Sequence, residues 1–157
     1  MILILLAAVL LCACAVDENQ RIDLTDDLER IGGALDLSTG LDEQFIIHYV
    51  NFDCSICFLE FEDWFSFLEN LDKPKRKVLF IVYGEDKMLV EYSVLEQLKT
   101  TYSIYFDRDR NFFKQNKLGP DKAYQSFLIN QSGEIIIKGN PLKLPTLKQK
   151  YIKALSE

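Results

Sequence analysis

One histidine, four cysteines, four prolines and seven glycines are all that 157 residues contain of these types, and each scarcity removes a class of function. Two of the cysteines lie in an apolar leader. The rest of the chain therefore cannot supply the four Cys or His ligands of a closed zinc site, and neither a metal nor another cofactor is expected. No basic run interleaved with aromatics is present, and the net charge is −6. The clustered Lys and Arg on which phosphate binding depends are missing, so nucleic acid is not an expected partner. No Pro-, Gly- or Ser-rich tract, low-complexity segment or internal repeat divides the chain, which at this length argues for one folded domain. Apolar side chains are plentiful. At 48% hydrophobic and 12% aromatic residues, the chain can build a core without disulfide staples and lies far from the composition of disordered segments.

The longest uncharged stretch stands at the start. Residues 1–16, MILILLAAVLLCACAV, carry no charged or strongly polar side chain, and Asp17 and Glu18 follow at once. The run falls short of the ~20 residues that a membrane-crossing helix needs, so it reads as an export signal, although no Lys or Arg precedes it. Its end, Leu11-Cys12-Ala13-Cys14, resembles a bacterial lipoprotein signal, with an aliphatic and then a small residue ahead of the cysteine that becomes lipidated. On this reading residues 1–13 are a signal peptide, Cys14 is the lipid-attachment residue, 14–43 are a spacer or N-terminal extension, and 44–157 are the folded domain. Acyl chains on Cys14 would tether the domain to a membrane, in the bacterial cell envelope and facing the periplasm or the cell surface. Cys54 and Cys57 then remain as the thiols outside the anchor. In an oxidising compartment they can form one local disulfide and no other.

Past the leader, hydrophobic periodicity outlines an alternating order. Residues 45–52, FIIHYVNF, and 77–83, KVLFIVY, are β-branched and aromatic runs suited to buried strands. Between them Cys57, Phe61, Trp64, Phe65, Leu68 and Leu71 recur at three or four residues and share one face of a helix. Asp72-Lys73-Pro74 closes that helix, since the residue before a proline is pushed out of helical geometry. Strand, helix and strand at this spacing make a right-handed βαβ unit. The spacing further predicts a helix over 87–99 with Met88, Val90, Leu95 and Leu98 inward, a short strand over 103–106, and a helix over 109–117 ended by Gly119-Pro120. Strands over 125–129 and 134–138 flank the turn Asn130-Gln131-Ser132-Gly133. A final helix begins at Pro145, with Leu147, Tyr151 and Leu155 on one stripe.

That order, with Cys54-Ser55-Ile56-Cys57 at a strand-to-helix junction, resembles the thioredoxin superfamily, and within it the membrane-anchored TlpA-like thiol-disulfide oxidoreductases of the bacterial envelope. YVNFDCSIC, Glu60 three residues after the second cysteine, FDRDRNFFKQN and SFLINQSGEIIIKG carry the resemblance, which covers about residues 44–157. It implies an α/β fold, a three-layer α/β/α sandwich around a mixed sheet. It also implies a dithiol that exchanges with disulfide-containing envelope proteins and is recharged by an upstream thiol donor. The spacing has a physical reason. At the start of the helix Cys54 lies near unpaired backbone N–H groups and the helix dipole favours its thiolate, while Cys57, one turn on, can attack a mixed disulfide formed on Cys54. His48 occupies the place of the buried acid that thioredoxins carry six residues before the first cysteine. It is the candidate acceptor for the Cys57 proton, with a satisfied sheet histidine as the alternative. Two positions depart from the family: Tyr124 stands where a cis-proline faces the dithiol, and Asp53 where a tryptophan precedes the first cysteine.

Charge is unevenly spread. Residues 1–72 hold 15 acidic and two basic side chains, and 73–157 hold nine and 16. With the dithiol in the acidic half, Asp53 beside it and no cation at position 55 or 56, the Cys54 thiolate is expected to be weakly stabilised, which argues for a reductant. A lipoprotein whose thioredoxin-like body binds a partner without turnover is the rival reading, favoured by Tyr124. Peroxidase chemistry of the peroxiredoxin kind is disfavoured because no Pro-x-x-x-Thr/Ser-x-x-Cys pattern ends at Cys54. Copper delivery is disfavoured because His48 sits on the strand leading to the dithiol and no methionine cluster accompanies it.

Overall fold

The two apolar runs expected as strands form the centre of a six-stranded sheet. The computed structural model describes residues 20–24, 26–37, 44–71 and 78–156; the expected signal peptide and Cys14 lie outside them. The strands are β1 Leu28–Gly32, β2 Phe45–Asn51, β3 Val78–Tyr83, β4 Ser103–Asp107, β5 Ser126–Ile129 and β6 Ile135–Lys138. Their order is β1-β4-β3-β2-β5-β6. β2, β3 and β4 run parallel, whereas β1, β5 and β6 are antiparallel to their neighbours. Six consecutive residues of β2, from Phe45 to Val50, are buried, as a central strand covered on both faces requires.

Alternation along the strands separates two cores. Ile46, Val50, Phe80, Val82, Ile104 and Leu128 face one side, where α1 (Ser55–Glu69), α2 (Lys87–Tyr92) and α4 (Pro145–Ser156) pack. Both parallel crossovers, β2-α1-β3 and β3-α2-β4, step in the same direction along the sheet, so the right-handed rule puts both helices on that side. Ile47, Tyr49, Leu79, Ile81, Tyr105 and Phe127 face the other side, covered by the short α3 (Asn111–Gln115) and the N-terminal segment. The result is the expected three-layer sandwich around a mixed sheet, with one outer layer built largely from extended chain.

Three expectations change. The boundary at residue 44 moves upstream, because residues within the expected spacer join the sheet. Ile22 is buried, Leu24, Leu28, Leu35 and Leu37 pack on the second core, and β1 forms an edge of the sheet beside β4. In the second helix, Val90 and Val94 are buried while Met88 and Leu95 are 79% and 54% exposed. A π-helical turn, Ser93–Leu98, continues α2 and its wider turn keeps positions 90, 94 and 98 in line, in place of the set read from 3.6-residue spacing. The third helix begins at Asn111, since Asp109 and Arg110 adopt left-handed backbone (φ 56° and 57°). Its first N–H groups, from Phe112 and Phe113, are met by the Asp107 carboxylate at 2.8 and 3.2 Å.

Candidate functional site

The dithiol sits where β2 hands over to α1. Phe52 N–H donates to the Tyr83 carbonyl (2.7 Å) and Asp53 N–H to Asn51 Oδ1 (2.9 Å). This tight turn leaves Cys54 at the N-cap of α1 with extended backbone (φ −117°, ψ 113°) and no side chain capping the helix. Cys57 N–H closes the first turn on the Cys54 carbonyl at 2.8 Å. The two sulfurs differ in exposure. Cys54 is partly exposed, whereas Cys57 turns inward toward Phe61 and Trp64 and is 2% exposed.

That difference separates their titration. The Cys57 thiol donates to Cys54 Sγ, which holds the Cys54 pKa below the ordinary thiol value, and the Cys57 backbone N–H and the Lys122 ammonium act in the same direction. Burial pushes the Cys57 thiol up, with the neighbouring Cys54 adding to the rise. A nucleophile that ionises first, backed by a thiol that stays protonated until needed, is the asymmetry that stepwise exchange requires.

Lys122 is the residue that sequence reasoning missed. It opens a short 3₁₀ turn, Lys122–Tyr124, just before β5, and its Nζ lies 2.6 Å from Cys57 Sγ and 3.4 Å from Cys54 Sγ. The Cys54 thiolate is therefore not left without a cation as expected, because the charge absent at positions 55 and 56 arrives from a loop 65 residues beyond Cys57. Asp53 also acts differently from expectation. Its carboxylate accepts Glu85 N–H at 2.8 Å, tying the β2-α1 turn to the β3-α2 loop, and it is not among the groups that shift Cys54.

His48 is buried on β2, with Nδ1 2.8 Å from Ser126 Oγ and its ring 4.7 Å from that of Trp64. Burial, with the charge of Lys143 adding to it, pushes its pKa down to about 3. It is a neutral and weakly basic imidazole, ill-suited to taking a thiol proton, and neither cysteine is among the causes of its shift. Beside it, Glu60 accepts from Asn140 Nδ2 (3.0 Å) and pairs with Lys143 (3.3 Å), leaving His48 Nε2 at 3.7 Å.

Tyr124 occupies the turn that bears Lys122, facing the dithiol, and the described residues contain no cis peptide bond. The backbone there is already paired: Ala123 N–H to Asp121 Oδ1, Tyr124 N–H to the Asp121 carbonyl, the Ala123 carbonyl to Asn140 N–H, and the Gln125 carbonyl to Tyr49 N–H. Ile56 and Leu59 on α1, together with Tyr124, leave apolar surface exposed. Among the described residues no group of three His, Cys, Asp or Glu is placed to hold a metal ion, and no helix is long and apolar enough to cross a membrane.

No family model matches the sequence, and no curated protein matches it. Solved structures do. A chain assigned as the thiol:disulfide interchange protein DsbE of Chlorobium tepidum superposes with a TM-score of 0.58 at 15% identity, over 88% of this chain and 98% of that one. A thioredoxin-like protein in its oxidised form gives 0.59 at 16% identity, over 89% and 97%. An exposed lipoprotein thioredoxin of Streptococcus pneumoniae gives 0.55 at 16%, over 78% and 96%. At these identities the likeness is one of fold, and the fold is thioredoxin-like.

Proposed function

We propose that this thioredoxin-like chain is a thiol-disulfide oxidoreductase, tethered to a membrane of the bacterial cell envelope through a lipid on Cys14 and exchanging its Cys54-Cys57 dithiol with disulfides of other envelope proteins. The observation that carries the reading is the unequal pair: a partly exposed Cys54 with lowered pKa at a helix start, and a buried Cys57 with raised pKa one turn behind it. The leader and its Leu-Cys-Ala-Cys end support the anchor, and one structural neighbour is itself described as an exposed lipoprotein.

The exchange balances as two bond swaps. The Cys54 thiolate attacks one sulfur of a partner disulfide. A Cys54-partner disulfide forms, the partner's own S–S bond breaks, and the released partner thiolate takes up a proton. Cys57 then loses its proton and attacks Cys54 Sγ, forming the Cys54-Cys57 disulfide and releasing the second partner sulfur as a thiolate, which is protonated in turn. Two electrons pass to the partner, and an upstream thiol donor must return them for a further cycle. With Lys122 beside the sulfurs, nothing in the charge pattern makes this an unusually strong reductant. His48 serves the site by bracing β2 against β5 and α1 through Ser126 and Trp64.

A Cys57→Ala variant is expected to accumulate covalent partners on Cys54, visible as reducible adducts under non-reducing conditions and absent from Cys54→Ser. The wild type is expected to reduce a small artificial disulfide. Absence of both refutes the reading and leaves a thioredoxin-like body that binds a partner without turnover. The paired backbone of the Lys122–Tyr124 turn favours that second reading, because it leaves little free main chain opposite the dithiol for an extended substrate.

A further inference from the structure

The ammonium group of Lys122 has no carboxylate partner among the described residues. Among those residues its hydrogen bonds run to the two sulfurs, and those bonds hold its own pKa above the ordinary lysine value, with Cys57 the larger influence. The turn that bears it is fixed from several sides. Asp121 caps the turn through Ala123 N–H, Asn140 N–H holds the Ala123 carbonyl, Tyr49 N–H holds the Gln125 carbonyl, and Gln125 Nε2 donates to the Gly119 carbonyl. These bonds set where the side chain starts; its flexible four-carbon stem is held at the far end by the two sulfurs its ammonium meets.

The acidic groups that could compete for this cation are engaged elsewhere. Asp53 accepts from Glu85 N–H, Glu60 is taken by Asn140 and Lys143, and Asp121 caps its own turn. An ammonium carries three donors, and charge-assisted hydrogen bonds to an anionic acceptor are about twice as strong as neutral ones.

Resting on the thiol-exchange reading, we propose that Lys122 is a catalytic residue of the dithiol, its ammonium donating to whichever sulfur carries the negative charge, Cys54 before attack on the partner and Cys57 before release. No covalent bond to Lys122 forms and its proton count is unchanged over the cycle; the protons leave with the two partner thiols as described above. In the first step Lys122 holds the thiolate of the nucleophile. Once Cys54 is bound in the mixed disulfide, the same cation, already on Cys57 Sγ, opposes the burial that keeps that thiol protonated. The turn that in thioredoxins carries a cis-proline here carries a charge.

The test measures ionisation directly, apart from turnover. The rate of alkylation of Cys54 by iodoacetamide is followed against pH in the wild type, Lys122→Met and Lys122→Arg, with folding checked by the fluorescence of Trp64. Lys122→Met is expected to move the midpoint up by about one pH unit, so that alkylation near neutrality slows about tenfold, while Lys122→Arg keeps the wild-type midpoint to within a few tenths. Coincident profiles for wild type and Lys122→Met overturn the proposal. Should Lys122→Met not fold, the wild type alone decides: the NMR signals of the Lys122 side chain must shift as Cys54 ionises and again when the dithiol is oxidised, and a side chain blind to both events overturns it. A wild type that shows these couplings yet reduces no disulfide defeats the oxidoreductase reading while leaving the lysine's effect on the thiolate in place.

Discussion

Acid should destabilise this domain through His48. Its imidazole titrates near 6.5 when unfolded, but burial holds the folded pKa at about 3. Below pH 6.5 the unfolded chain therefore binds a proton that the native state refuses, and stability falls as pH falls, at up to about 1.4 kcal/mol per pH unit. The effect ends only when the folded pKa is passed. Between about pH 7.5 and 4.5 the two pKa values give a loss of about 2.5 kcal/mol from this one group. The assay is urea unfolding at both pH values, followed by Trp64, the single tryptophan, in the wild type and in His48→Asn, whose amide has no charge to gain. The carboxylates titrate alike in both proteins, so they cancel in the comparison to within a few tenths of a kcal/mol. The variant is expected to be less stable at neutral pH, because the Ser126 contact and the ring packing on Trp64 change. Its loss on acidification is expected to be smaller by about 2.5 kcal/mol. Parallel pH dependences would refute the argument, showing that His48 protonates in the folded state as readily as in the unfolded one.

Two packing predictions concern the frame around the site. Gly33 has φ +75°, and a Cβ there would lie 2.4 Å from Ser103 Cα and 2.5 Å from the Tyr102 carbonyl, so Gly33→Ala must force β1 away from β4. A loss of about 1–3 kcal/mol is expected in urea unfolding, with the Cys54 alkylation midpoint unchanged because the strain lies at the far edge of the sheet. Phe80 is fully buried on β3, its ring 4.9 Å from Phe61 and 5.9 Å from Tyr102; Phe80→Ala should cost about 3–5 kcal/mol, and a loss below 1 kcal/mol in the same assay would show that this core closes over the gap.

The parts of the fold legible in the sequence are those whose signal is local. β2 and β3 are continuous apolar runs, α1 carries its stripe from Cys57 to Leu68, and the β5-β6 hairpin is marked by Asn130, whose Oδ1 accepts from both Ser132 N–H and Glu134 N–H. β1 was hidden for the opposite reason. LERIG is a short edge strand with two charged residues, and its partner β4 lies more than 70 residues along the chain. The site divides in the same way. Cys54 and Cys57 declare themselves by spacing at a helix start, but Lys122 is one lysine in a polar loop, and only the tertiary path of that loop gives it meaning. The low pKa of His48 was equally out of reach, since it depends on the packing around the strand.

The N-terminal segment works as a clasp. Ile22 N–H bonds to the Gly133 carbonyl and Ile135 N–H to the Gln20 carbonyl, beside β6, while Asp23 and Asn116 exchange hydrogen bonds over α3 and β1 closes on β4 at the opposite edge. One stretch of chain thus buckles the two margins of the sheet together across its second face. A load applied at Gln20, on the β6 margin, would meet the Gln20-Ile135 and Ile22-Gly133 hydrogen bonds before the β1-β4 ladder. The dithiol lies at the start of α1, on the side of the sheet opposite the face that Ile22, Leu24, Leu28, Leu35 and Leu37 cover.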